Sequence, residues 1–106
     1  MIIVTSEAIA NKRVVKTLGL VRGNSVRARH IGKDIMAGLR NIVGGEVHEY
    51  AKLMGESREQ SIDRMAAEAA ELGANAVIAT RFTTSVMMGG AAELLAAGTA
   101  VIIEDA

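Results

Sequence analysis

Two segments near the C-terminus are apolar on both parities. In Ala76–Met87, Val77 and Ala79 fall on one parity and Ile78 and Phe82 on the other, and in Glu93–Glu104 the runs Leu94–Ala97 and Ala100–Ile103 leave no polar alternate. A strand with that pattern is covered on both faces. The cover available is limited. A chain of 106 residues makes one domain, near the size at which a single core becomes self-sufficient. One long amphipathic helix lies upstream, and it can cover one face of a sheet. The pattern therefore predicts a small α+β unit, a single domain over 1–106, whose other sheet face is finished by another copy of the chain.

The rest of the sequence fits that plan. Met1–Thr5 is a short apolar run that reads as a strand. Arg13–His30 is long and rich in β-branched residues, with Val14, Leu18, Leu20, Val26 and Ala28 sharing one parity. Gly23-Asn24 inside it could turn a hairpin or mark a bulge; the apolar parity continues across it and favours one bent strand. Ile31–Val43 then changes period, with Ile31, Ile35, Leu39 and Ile42 at helical spacing. Gly44-Gly45 stops that shorter helix. Glu46–Leu72 is the long helix, striped by Val47, Tyr50, Met54, Ile62, Met65, Ala69 and Leu72, with Gly73 as its C-terminal cap. Ser57 and Gln60 fit a capping box at which a helix could restart, but the stripe resumes in phase and favours a continuous helix. Gly89-Gly90 suits an antiparallel connection between the last two strands.

Composition removes several functions. There is no cysteine, which excludes disulfides and thiolate metal ligation together. Tyr50 and Phe82 are the only aromatics, so a nucleic-acid platform of stacked rings is missing. Net charge is zero, yet residues 1–45 carry eight basic side chains against two acidic ones, and residues 46–106 carry four against ten. Such asymmetry can signal a polyanion partner. A basic strand face packed near an acidic helix, within a subunit or across an interface, explains it more simply. No N-terminal leader pattern and no membrane-length apolar run appear, so the expectation is a cytoplasmic protein with neither nucleic acid nor membrane as partner.

The residues with the most chemistry lie in Gly44-Gly45-Glu46-Val47-His48-Glu49-Tyr50. A helical metal site places its ligands at i and i+3 or i+4. His48 has Gly44 and Gly45 behind it and Ala51 and Lys52 ahead, none of them a good ligand, and Glu49 points about 100° away around the helix. Glu46 and Glu49 are placed where the positive end of a helix dipole favours carboxylates. A metal site at His48 and Glu49 therefore requires several copies of the chain to converge. His30, beside Arg27 and Arg29, reads as a solvated histidine, and Met87-Met88 as apolar filler. No nucleophile elbow, histidine triad context, dinucleotide fingerprint or P-loop is present, and the residues give no enzyme.

Several stretches taken together resemble the YbjQ family: Arg40–Tyr50 (RNIVGGEVHEY), Ser57–Met65 (SREQSIDRM), Leu72–Val77 (LGANAV), Arg81–Ser85 (RFTTS) and Gly98–Val101 (GTAV). That small bacterial and archaeal family carries the label "putative heavy-metal-binding". The resemblance implies a dodecin-like α+β subunit, one long helix plus a shorter one on a small sheet, assembled into a ring-shaped homopentamer. It brings no catalytic residues. The expectation is a non-enzymatic homo-oligomer that takes a divalent metal ion or small ligand at subunit interfaces, with His48 and Glu49 as the shared metal ligands. The alternative is a structural or adaptor ring that binds a protein partner and needs no ligand.

Overall fold

The computed structural model describes residues 1–27, 45–86 and 92–106, excepting the side chains of 45–51. The elements are β1 (Ile2–Ile3), β2 (Lys12–Arg27), α1 (Gly45–Glu71), β3 (Ala76–Val86) and β4 (Ala92–Asp105). They form one sheet in the order β1-β3-β4-β2. β1 runs parallel to β3, while β3 and β2 both run antiparallel to β4. This is the expected α+β architecture, with the antiparallel pairing foreseen for the last two strands. The shorter helix expected over Ile31–Val43, with His30 and the Met87-Met88 pair, lies outside the described residues.

The helix is continuous through Gly55–Gln60, as its in-phase stripe predicts. It ends in a Schellman motif: Gly73 adopts φ 86°, its N–H reaches the Ala70 carbonyl at 3.0 Å, and the Ala74 N–H reaches that of Ala69 at 3.0 Å. β2 is likewise one strand, with no hairpin at Gly23-Asn24. Its register shifts fall instead between Val14 and Lys16 and between Thr17 and Gly19. A third shift, between Ile78 and Arg81, sets Ala79 and Thr80 opposite Gly98. Ala79 takes φ 53° there. A Cβ on Gly98 would come within 2.6 Å of Val77 Cγ1 and 3.1 Å of Thr80 Oγ1, so glycine is what lets the bulge fold inward.

Residues paired across strands share a face, and this locates the core. On the helix side, Val21, Ala96, Ala100 and Val77 pack against Met65 and Ala69, all fully buried. On the opposite side, Ala76, Val101 and Ile103 are buried with Ile9 and Ile78 against them. That second cluster sits at the end of the sheet where Asn75 extends the ladder, its side chain accepting from Ile103 N (2.7 Å) and donating to Ile103 O (2.9 Å). Beyond it, no described element covers the far face. The parity shared by Val14, Leu20 and Val26 is indeed one face, but it is the uncovered one, while the helix takes Val21, Gly23 and Ser25. Leu18, one of the extra residues at the register shifts, leaves that row and packs on the helix-side core. The described chain spans 56 × 23 × 16 Å with a radius of gyration of 17.3 Å, against about 13 Å for a compact domain of this length.

Candidate functional site

Close approach decides what lies between α1 and β2. A Cβ on Gly23 would come 2.3 Å from the Ser61 carbonyl oxygen and 2.4 Å from the Met65 nitrogen. The helix backbone therefore rests almost on the strand, and only small side chains fit beside the contact. The residues that fill it are Ser57, Ser61 and Ser25, each buried. Ser57 Oγ donates to Ser25 Oγ (2.9 Å), which donates to Gln60 Oε1 (2.9 Å), and Arg27 Nη2 donates to the same oxygen at 3.1 Å. Ser61 Oγ bonds to the Ser57 carbonyl (3.1 Å) and the Leu94 carbonyl (2.9 Å), tying helix to sheet. Buried hydroxyls with partners fix the geometry of a seam, since leaving one unpaired costs about 1–3 kcal/mol.

This seam is absent from the apolar stripe read in the sequence. Ser57 and Gln60 bridge helix and strand and do not cap a new helix, and Leu72, placed in the stripe, is largely exposed. The signal that could have revealed the seam is the four-residue spacing Ser57, Ser61, Met65, Ala69, one helix face small at one end and apolar at the other. The seam opens onto a shallow groove lined by Arg27, Arg58, Glu59, Gln60 and Asp63. Both charge signs line it, so it selects neither anions nor cations.

The segregated charges meet from strand to strand. Lys12 pairs with Asp105 and Arg13 with Glu104 across β2 and β4, and Arg64 of the helix donates to the Asn24 carbonyl at 2.5 Å. The hydrogen bond and charge of Lys12 hold the Asp105 carboxyl below the ordinary aspartate value of 3.8. The pair is exposed and structural.

His48 and Glu49 lie in the first turns of α1 by their backbone, and their side chains fall outside the described residues. Among the described residues no three His, Cys, Asp or Glu side chains come together as a metal cluster. The chain has no cysteine, so thiolate ligation is excluded.

The larger unassigned feature is exposed apolar surface. Leu20 is 67% exposed, Val26 49%, Phe82 43% and Val86 78%. Leu20 and Val26 are on the face opposite α1, paired with Thr99 and Glu93. Phe82 and Val86, paired with Ala96 and Ala92, are on the helix side but beyond the helix, which lies mainly over β2 and β4.

Comparison with known proteins gives the family. The YbjQ family model, described as "Putative heavy-metal-binding", matches residues 1–104. The chain belongs to the YbjQ family. It is 56% identical over 104 residues to a UPF0145 protein of Dehalococcoides mccartyi, covering 98% of this chain and all of the relative. A UPF0145 protein of Methanosarcina acetivorans is 55% identical over 103 residues, 97% of each chain. One from Pyrococcus abyssi is 55% identical over 104 residues, 98% of this chain and 91% of the relative. Among solved structures, a DUF74-family protein of unknown function from Pediococcus pentosaceus superposes with a TM-score of 0.66 over 98% of both chains at 15% identity, a likeness of fold. The description of the YbjQ family names metal binding and no reaction. Among the described residues, no helix is long and apolar enough to cross a membrane.

Proposed function

We propose that this YbjQ-family protein is a non-enzymatic, cytoplasmic homo-oligomer, a dodecin-like subunit closed into a pentameric ring, that takes a metal ion or small ligand where subunits meet. The observation that carries the assembly is the bare surface of Leu20, Val26, Phe82 and Val86 on a chain whose buried core holds mostly small side chains. Large apolar side chains exposed outside the core on both faces of the sheet leave surfaces that a partner copy can cover. The family description supports the ligand, and in this reading the metal is shared, with His48 or Glu49 repeated around an axis.

The exposed Leu20, Val26, Phe82 and Val86 suit a second reading equally, a ring that displays a protein-binding surface and needs no ligand. Native mass spectrometry of the untagged protein, before and after incubation with divalent metals, separates the two. Bound metal in simple proportion to subunits, lost in His48→Ala, supports the shared site. An oligomer that takes up no metal leaves the scaffold reading.

A further inference from the structure

The sheet ends in two open edges, and they match. β1 occupies the outer side of β3 only at one end. It pairs with Ala76 and Val77, and the chain that follows it accepts the Ala79 and Thr80 N–H groups at the Ser6 and Val4 carbonyls. From Arg81 to Val86, among the described residues, no strand pairs with that side of β3. At the other edge, among the described residues, β2 pairs with no strand but β4. Arg81–Val86 and Arg22–Arg27 pair with the same stretch of β4, Ala92–Ala97, so the two open edges lie at one height. Both stretches are regular, because the register shifts fall before them. An open regular edge is a template for another strand.

The helix supplies the second half of the match. It sits over the β2 side of the sheet and leaves Phe82 and Val86 uncovered on its own face. We propose that β2 of one copy pairs with the open edge of β3 in the next, in parallel, so that the sheet runs from copy to copy. The helix above the incoming β2 then covers the Phe82 and Val86 strip of its neighbour. Strand direction follows from the fold, since β2 and β3 are each antiparallel to β4. The register shifts near Val15 and Leu18 put bends in the half of β2 that lies at the height of β1. Such a contact is head-to-tail, and it generates a ring when the rotation closes. This inference rests on the assembly reading and names its interface.

Engineered cysteines test it cleanly, because the native chain has none. Asn24 and Thr83 both pair with Leu95 and share one face. Within a copy β4 separates them by two strand spacings, about 9.6 Å, beyond the roughly 7 Å limit for a disulfide. The double variant Asn24→Cys/Thr83→Cys, or Asn24→Cys/Ser85→Cys for a two-residue offset in register, is oxidised mildly and run on a denaturing gel. A ladder of covalent multiples, with each single variant remaining monomeric, is the expected result. No ladder from either pair, in an assembly that native mass spectrometry finds intact, overturns the edge pairing and leaves the assembly standing. Covalent dimers from Asn24→Cys alone indicate a two-fold contact between β2 strands and overturn it too. A wild-type protein that is monomeric removes both readings.

Discussion

β2 and β3 flank the same central strand, yet one is roofed and the other is not. From Val21 to Arg27, β2 alternates buried with exposed residues beneath the helix. From Arg81 to Val86, every residue of β3 is exposed. Apolar content does not separate them, since both carry valines. Size on the helix side does. In the row through Ala96, β2 contributes Gly23 and β3 contributes Phe82; in the row through Leu94, they contribute Ser25 and Thr84. The helix settles where the side chains are smallest. Larger apolar groups are left outside, available to a neighbour.

That contrast can be broken from the roofed side first. Met65 is fully buried among Val21, Ala69 and Ala96. Met65→Ala is expected to lower the stability by about 2–5 kcal/mol, read as a shift of the denaturant midpoint at fixed protein concentration. Gly23→Ala comes next. Its methyl meets two backbone atoms of the helix, so the helix has to lift, at about 1–3 kcal/mol. A neutral Gly23→Ala would remove close approach as the reason the helix sits where it does.

Gly23 also shows how far the sequence could be read. One bent strand was legible because the apolar parity of Val14, Leu20 and Val26 runs through it. Which face the helix would choose was not legible: the apolar row marks a face and not what covers it, and glycine and serine on the other face permitted the closer contact. The register shifts were hidden as well, since they are fixed by pairing with β4 and leave no mark in a period-two pattern. The long helix and its Gly73 cap were readable because each depends on local residues. The apolar pattern marked the two strands, but in the described residues two-sided cover reaches only one end of the sheet and Arg81–Val86 is exposed. The candidate site was readable only as a short supply of donors. His48 has no good ligand at helical spacing in its own chain, and Glu46, three residues before Glu49, is explained by the positive end of the helix dipole.

From the unroofed side, truncation of a side chain of similar size is expected to matter little. Leu20→Ala shifts the midpoint by within about 0.5 kcal/mol in the dissociated chain, against the loss for Met65→Ala. A larger effect that appears only at concentrations where the protein assembles would place Leu20 in the interface.

The smallest effect belongs to the exposed Lys12–Asp105 pair. Asp105 has its folded pKa lowered, so its contribution is present above the unfolded value and is lost as pH falls through the lowered one. Asp105→Asn is therefore slightly less stable than wild type at pH 7, and the difference closes in acid, below the ordinary aspartate value of 3.8. Thermal melts of both proteins across that range check the sign.

The central claim is that the chain leaves its sheet unfinished for copies of itself to complete. The most direct test is the mass of the untagged wild-type protein by native mass spectrometry. The account predicts a single species at five times 11.1 kDa. A species at 11.1 kDa, stable at the highest concentration reached, would contradict it.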